Sequence, residues 1–271
     1  MNTPRISASS YSNTAPLVWS FLYGQNHGKV EIILDNAPAR SAELLLQDRV
    51  DAALVPVIAY QMIDNVRLIP DVCVGAKERV RSVCLVTKGD ELKDVRSVSL
   101  DVSSRTSVAL TKIIFREFLG FEPEWRDAKP DIDSMLGVSD AALLIGDPAL
   151  SISNPESRDV RSQISNIKYF DLAELWHEHT GLGFIFAMWM TRRESCEIDF
   201  AAACDEGLAH ADDIAANYAA EIGLSRDEMK GYLTENISYT PDESMRRGMQ
   251  LYFELAQKNG LIAENKPLRF I

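Results

Sequence analysis

One short string of residues occurs twice in this chain of 271 residues, and both copies have similar neighbours. DAALVPV begins at Asp51 and DAALLIG begins at Asp140. Each copy follows a helical segment and lies about forty residues after a strand that opens into a hydroxyl-rich turn, SYSNTAPL and SSRTSVAL respectively. Two similar units with parallel strands predict an α/β fold of two lobes that face each other across a cleft. The alternative is a chance coincidence of two short apolar strings.

The position of the two polar turns predicts where a ligand binds. In α/β sheets, ligands bind beyond the carboxyl ends of the strands, near helix N-termini, and both turns fall there. If one lobe is inserted into the other, the chain must cross twice, and the best candidates are RSVCLVTK (81–88) and GFIFAMWM (183–190). The expected division is therefore lobe I at residues 1–87 and 187–271, and lobe II at residues 88–186.

Composition excludes several classes of partner. The net charge is −12, which argues against a nucleic-acid surface and against a polybasic membrane patch. The chain contains no apolar run of membrane-spanning length and no N-terminal apolar segment of signal-peptide length. We therefore expect a cytoplasmic protein that binds neither nucleic acid nor membrane. The sequence gives no indication of its oligomeric state.

The cysteines and histidines predict no metal site. The cysteines show no CxxC spacing and no histidine partner, so we expect reduced thiols in the core; they are Cys73, Cys84, Cys196 and Cys204. His177 and His179 in WHEHTG are two residues apart and point to different faces of a helix.

The strongest candidate site is LDVSSRTSVAL at 100–110. A strand that ends at Asp101 and meets hydroxyl side chains at a helix start offers free N–H groups, hydroxyl donors and a positive dipole end. These groups bind carboxylate or phosphate. The residues are Ser103, Ser104, Thr106 and Ser107, with Arg105 as an added cation. The alternative is an ordinary Ser/Thr N-cap, for which one hydroxyl would suffice.

Three further groups are candidates for ligand binding. In SYSNTAPL, the Asn13 amide can donate to and accept from a hydroxyl or ether oxygen, unless it only caps the helix with Ser12. Asp147 in GDPAL follows a buried strand, and could bond a ligand hydroxyl, act as a base, pair with an arginine, or simply close a turn. Arg81 and Ser82 stand at a strand entrance, within either a site or a solvated charge cluster.

These motifs occur in an order that resembles a known family. SYSNTAPL, DAALVPV, RSVCLV, SLDVSSRTSVAL, DAALLIGDPAL and DLAELWHEHTGLGFIFAMW together look like the chorismate dehydratases of the futalosine route to menaquinone. The resemblance covers residues 5 to about 190, and the C-terminal helices match in character only. It implies a two-lobed fold like the type II periplasmic binding proteins. It also implies a hydro-lyase that converts chorismate to 3-[(1-carboxyvinyl)oxy]benzoate without a metal or organic cofactor.

The resemblance also implies roles for the motif residues. Asn13 would lie near the departing hydroxyl, Ser82 beside a carboxylate or the reacting edge, and Asp147 along the cleft. These three form the expected catalytic set. The expected substrate-binding set is Ser12, Thr14, Arg81, Ser103, Ser104, Arg105, Thr106 and Ser107, of which Ser104 to Ser107 would hold a carboxylate.

No side chain stands out as the general base. We hypothesise that a carboxylate of the substrate removes the ring proton, with Asp147 as the side-chain alternative. Two other functions remain open at this point. One is a 1,4-dihydroxy-6-naphthoate synthase-like enzyme of the same pathway, and the other is a small-anion-binding protein without turnover.

Overall fold

The strands form two separate sheets. A computed structural model describes residues 3–153 and 167–271, and within these ranges each sheet has five strands. The first sheet has the order β2-β1-β3-β10-β4 and the second has the order β7-β6-β8-β5-β9. The strands are β1 Arg5–Ser9, β2 Glu31–Asp35, β3 Ala52–Pro56, β4 Arg67–Ala76, β5 Val83–Thr87, β6 Ser97–Asp101, β7 Glu124–Ala128, β8 Ala141–Ile145, β9 Lys168–Asp171 and β10 Phe184–Thr191.

The helices cover the sheets and fill the C-terminal part of the chain. They are α1 Ala15–Leu22, α2 Pro38–Leu46, α3 Arg105–Ile113, α4 Ile132–Val138, α5 Gly146–Ser153, α6 Leu172–Thr180, α7 Phe200–Ala209, α8 Ala211–Ile222, α9 Arg226–Gly231 and α10 Glu243–Lys258. Helix α3 continues as a π-helix over Ile114–Leu119, and α9 continues as one over Tyr232–Asn236. No helix in the described ranges is long and apolar enough to cross a bilayer.

The repeat detected in the sequence is a structural repeat, as predicted. The order β1-α1-β2-α2-β3 recurs as β6-α3-β7-α4-β8, and both sets of strands are parallel. The first residue of each repeated string has the same function in its unit. The Asp51 carboxylate accepts the Arg5 N–H at 2.9 Å, and the Asp140 carboxylate accepts the Arg96 and Ser97 N–H groups at 2.9 Å. Each aspartate, just before the third strand of its unit, therefore bonds to the start of the first strand and holds the two strand ends together.

A second matched contact joins strand and helix layer in each unit. Ser7 on β1 shares a 2.8 Å hydrogen bond with Ser41 on α2, and Ser99 on β6 shares one of 2.8 Å with Ser139 at the end of α4. All four hydroxyl groups are buried, so each pair satisfies polar atoms that burial would otherwise leave unpaired. The two units therefore have the same internal design as well as the same order.

The sheets are mixed, because each parallel unit is extended by two strands, of which the inner one runs the other way and the outer one runs parallel to the unit again. β10 pairs antiparallel with β3 and β4, and β5 pairs antiparallel with β8 and β9. β4 was not predicted from the sequence. Its segment, RLIPDVCVGA, contains Pro70 and Asp71, and Asp71 has a φ of 65°. The resulting irregularity in the pairing with β10 interrupts the alternation by which strands are recognised.

The two crossings between the sheets lie close to the expected segments but not at the expected residues. Val83–Thr87 belongs to the second sheet, so a boundary after residue 87 places β5 with the wrong lobe. Phe184–Thr191 belongs to the first sheet, so a boundary before residue 187 divides β10. We propose crossings at residues 77–82 and 181–183 instead, which keep every described strand with its own sheet.

A continuous apolar core extends through both lobes, and its largest fully buried side chains include Trp176, Trp189, Tyr232 and Tyr252. A smaller cluster around Leu136 and Leu144 supports the second sheet. All four cysteines are free thiols, as predicted, although Cys196 is only partly buried. The hydroxyl and amide groups of the polar turns are not part of this apolar core, and they face the space between the sheets.

Candidate active site in the cleft between the sheets

The polar turns of the two repeat units line one cleft. It holds about 530 Å³ of space free of protein atoms, including space open to solvent. Its polar lining comes from both units and consists of Ser9, Asn13, Thr14, Ser104, Thr106 and Ser107. The apolar lining includes Tyr11, Leu54, Pro56, Ile145 and Phe186. The arrangement matches a site for a small molecule with an apolar body and polar ends.

Helix N-termini supply the positive potential of the cleft. Among the described residues, the starts of α1, α2, α3 and α5 contribute lining atoms, through Thr14, Pro38, Ser104 and Gly146. The first N–H groups of a helix have no partner within it, and the dipole makes that end positive. The lining residues include no lysine and no arginine. An anion in the cleft would therefore be bound by backbone groups and neutral side chains.

The start of α3 combines a cap with contacts to the other lobe. Ser104 is the N-cap, and its hydroxyl accepts the Ser107 N–H at 3.3 Å. The Thr106 hydroxyl accepts the Ile58 N–H at 3.3 Å, and the Thr106 carbonyl accepts the Tyr252 hydroxyl at 3.0 Å. One hydroxyl thus performs the ordinary capping function. The remaining groups fix the helix start against the lobe opposite.

The turn before α1 orients Asn13. Ser9 and Thr14 share a hydrogen bond of 2.8 Å, and the Thr14 hydroxyl also donates to Asn13 Oδ1 at 3.3 Å. The Asn13 carbonyl accepts the Tyr239 hydroxyl at 3.1 Å. Both the side chain and the backbone of Asn13 are therefore held while the residue lines the cleft.

Asp147 joins the two lobes directly. Its carboxylate accepts the Ser12 N–H at 3.1 Å on each oxygen, and the Ser12 hydroxyl donates to Oδ1. Burial raises the pKa of Asp147, the bonds from Ser12 oppose this, and nearby Glu221 adds to the increase. The neighbouring Gly146 has a φ of 63° and lies against the ring of Tyr11. This contact places Tyr11 in the cleft.

The loop before β5, which contains Arg81 and Ser82, has an unusual backbone conformation. Arg81 has a φ of 63°, and the buried Asp171 carboxylate accepts the N–H groups of Val80 at 3.1 Å and Arg81 at 2.5 Å. The Arg81 carbonyl accepts the Tyr169 hydroxyl. Burial raises the pKa of Asp171 to about 6, against the opposing effect of its backbone N–H donors. The Ser82 carbonyl then accepts the Gly146 N–H at 2.7 Å.

Tyr232 brings the three expected catalytic residues into one neighbourhood. Its hydroxyl is fully buried, and burial raises its pKa strongly. Interactions with the side chains of Ser82 and Asn13 lower that pKa, the charge of Asp147 raises it, and the charge of Arg81 lowers it. Ser82, Asn13, Asp147 and Arg81 therefore all influence the pKa of the Tyr232 hydroxyl, a group that no sequence motif indicated. Tyr232 lies beyond the residues that carried the resemblance, and no motif marks it.

The expected substrate-binding residues divide into two groups. Thr14, Ser104, Thr106 and Ser107 line the cleft, as does Asn13 of the expected catalytic set. The others lie behind or beside it, and their polar groups have protein partners. The Ser12 donors contact Asp147, Ser103 donates to Asp101 at 2.9 Å and 2.6 Å, the Arg81 N–H contacts Asp171, and the half-exposed Arg105 lies 4.0 Å from Glu43.

Sequence reasoning missed much of the apolar lining. Tyr11 stands inside the motif SYSNTAPL, but only its hydroxyl-bearing neighbours were selected. Burial raises its pKa to about 12, so it is a neutral donor at ordinary pH. Phe186 comes from β10, about 175 residues away in the chain from the turn at Tyr11. Only tertiary structure brings such positions together.

Comparison with known proteins agrees with this architecture. The profile of the menaquinone biosynthesis family matches residues 4–258. A chorismate dehydratase from Thermus thermophilus is 31% identical over 257 residues, which cover 90% of this chain and 92% of that protein.

Solved structures show the same fold. Protein AF1704 from Archaeoglobus fulgidus superposes with a TM-score of 0.72 at 19% identity, covering 96% of this chain and 98% of that one. The Candida albicans CA3427 gene product, described as having the generic periplasmic binding protein fold, superposes with a TM-score of 0.67 at 14% identity, covering 98% and 92%. The fold is thus the two-lobed, periplasmic-binding-protein-like α/β fold. The family match, which spans nearly the whole chain and extends through the C-terminal helices, shows that the chain belongs to the menaquinone biosynthesis family.

Proposed function

We propose that this chain is a chorismate dehydratase, a hydro-lyase that removes water from chorismate to give 3-[(1-carboxyvinyl)oxy]benzoate. The observation that carries the proposal is the near full-length match to a chorismate dehydratase. The cleft supports it independently, because its lining combines polar groups from both repeat units with apolar side chains. Chorismate has the corresponding chemistry, with two carboxylates, a ring hydroxyl and an apolar diene.

We place one carboxylate of chorismate at the start of α3. Ser104, Thr106 and Ser107 surround this position, and the helix dipole stabilises negative charge there. Arg105 lies at the same helix start, and could reach the cleft edge by leaving its weak contact with Glu43. The second carboxylate or the ether oxygen then faces the turn of Asn13 and Thr14. Ser12, Ser103 and Arg81 would support this binding indirectly, through their contacts with neighbouring residues.

The reaction requires little covalent help from the protein. A proton leaves the ring carbon that bears the ether, its C–H electrons form the new double bond, and the adjacent C–O bond breaks. The departing hydroxide takes a proton and leaves as water, and the ring becomes aromatic. The protein has to orient the substrate and exclude solvent. In this proposal the Asn13 amide, which lines the cleft, donates to the departing hydroxyl.

We further propose that a carboxylate of the substrate accepts the ring proton. Among the described residues that line the cleft there is no histidine, lysine, aspartate or glutamate. Asp147 is the nearest acidic alternative, but both of its oxygens are engaged by Ser12. To act as a base it would have to give up these bonds. The same proposal includes chorismate as the partner molecule and a cytoplasmic location, which the reduced cysteines support.

The decisive experiment is incubation of the purified protein with chorismate. We expect a product lighter than chorismate by one water, with the absorbance of a substituted benzoate, to form in proportion to enzyme concentration. Ser104→Ala should slow its formation, whereas Ser134→Ala, at an exposed position of α4 outside the cleft lining, should not. Chorismate that binds and stays unchanged would instead support a binding protein. No binding at all would favour the naphthoate synthase-like alternative.

A further inference from the structure

Two buried hydroxyl groups beside the cleft form no hydrogen bond of ordinary length and angle among the described residues. They are Ser82 Oγ and Tyr232 OH, and both side chains are fully buried. Leaving a buried donor unsatisfied destabilises the folded state. Most buried hydroxyls in folded proteins are therefore bonded, and an exception calls for an explanation.

The two hydroxyls face each other and the cleft residue Asn13. Interactions with the side chains of Ser82 and Asn13 both lower the pKa of Tyr232, so both side chains lie close to its hydroxyl. Asn13 lines the cleft. Val83, which follows Ser82 in the chain, and Gly146, whose N–H donates to the Ser82 carbonyl, also line it. The unsatisfied pair therefore lies directly behind the polar wall of the site.

A second residue of the same C-terminal segment also contacts Asn13. The Tyr239 hydroxyl donates to the Asn13 carbonyl at 3.1 Å, and Tyr239 is near enough to Tyr232 for the two rings to influence each other's titration. Two tyrosines of this segment therefore lie beside Asn13: the Tyr239 hydroxyl contacts its carbonyl, and the Tyr232 hydroxyl lies near its side chain. This segment follows α9, and the helix is fixed at its start by a complete capping box at Ser225 and Glu228.

We propose that Tyr232 is a positioning residue of the active site, whose hydroxyl sets the orientation of the Asn13 amide and the Ser82 hydroxyl toward the substrate. The inference rests on the proposed function. With substrate bound, the Asn13 amide and the Ser82 hydroxyl would each contact a substrate oxygen, and each would have the Tyr232 hydroxyl as its second partner. Because tyrosine is rigid and buried, it holds that geometry at little cost in entropy. The chemistry recognised is a hydroxyl or carboxylate oxygen of a small anion.

The test replaces Tyr232 with phenylalanine, which keeps the ring and removes only the hydroxyl. We expect kcat with chorismate to fall roughly tenfold, the size of one ordinary hydrogen bond, while KM changes by less than about threefold. Tyr60→Phe is the matched control. Its hydroxyl is also buried but contacts Pro267 and Arg269, away from the cleft. It should lower the melting temperature and leave kcat unchanged.

A double-mutant cycle separates positioning from general stability. If Tyr232 acts through Ser82, removing its hydroxyl from a Ser82→Ala protein should cost much less than removing it from the wild type. Should Ser82→Ala turn over too slowly, the same cycle is measured on the dissociation constant of the aromatic product. Equal costs in both backgrounds, or an unchanged kcat in Tyr232→Phe, would overturn the inference. A wild-type protein that does not convert chorismate would refute the proposed function instead.

Discussion

The contact between Gly146 and Tyr11 gives a sharp quantitative prediction. Gly146 has a φ of 63°, and a Cβ built on it would lie 2.7–2.8 Å from three atoms of the Tyr11 ring. Gly146→Ala therefore introduces two separate costs. One is the left-handed backbone, and the other is a clash with a ring that lines the cleft.

The magnitudes follow from these distances. A non-glycine residue in the left-handed region costs about 1–2 kcal/mol. Carbon atoms pack at about 3.5–4.0 Å, so the Tyr11 ring must move by roughly 1 Å, and overpacking of this kind costs typically 1–3 kcal/mol. The total loss in the free energy of unfolding is then about 2–5 kcal/mol. Misplacement of a cleft side chain by ~1 Å can also lower kcat/KM by as much as 10²-fold.

Gly181→Ala provides the matched control. Gly181 ends α6 with a φ of 68°, and a Cβ there meets nothing within 4 Å. It therefore carries the backbone cost alone. Thermal unfolding and kcat/KM with chorismate are measured on both variants, at roughly 2–4 °C per kcal/mol for chains of about 150–250 residues. If both variants lose the same stability and both keep wild-type kcat/KM, the close contact does not shape the cleft and the reasoning fails.

Three other perturbations test the electrostatics. Asp147→Asn should retain kcat within about tenfold if a substrate carboxylate is the base, whereas a loss of ~10² or more identifies Asp147 as the base. The raised pKa of Asp171, about 6, means that its contribution to stability is complete below the unfolded pKa of ~3.9 and is lost as pH rises through about 6. In urea unfolding, wild type should therefore lose about 2 kcal/mol relative to Asp171→Asn between pH 4 and 7, and parallel profiles would contradict this. With a net charge of −12 and a cleft lining without lysine or arginine, KM for chorismate should fall as salt screens the overall repulsion, and a rising KM would indicate an arginine clamp.

Much of the fold could be predicted from the sequence because local patterns specify it. The strand at Ser97–Asp101 and the helix that follows it were predicted within a few residues, since hydrophobic periodicity and a Ser/Thr cap mark both. A turn was one of the alternatives left open for the GDPAL segment, and the segment is instead the start of α5. Its glycine, aspartate and proline are typical of turns and of first helical turns alike.

The candidate site was predictable where one motif supplies a whole structural element. Asn13, Thr14, Ser104, Thr106 and Ser107 follow directly after strands, and they line the cleft. The distribution of hydrogen-bond partners was not predictable in this way. Ser12 and Asp147 are 135 residues apart, and their contact depends on how the lobes meet.

The sequence by itself determined the repeat, the fold class and the polar turns, because each depends on residues that are close together in the chain. The tertiary structure alone decided that Tyr232 lies under Asn13 and Ser82, and that Asp147 is already engaged by Ser12. Such contacts join segments that are distant in sequence, and no local pattern specifies which polar groups will pair with each other. Their energies depend on burial, which only the packed chain creates.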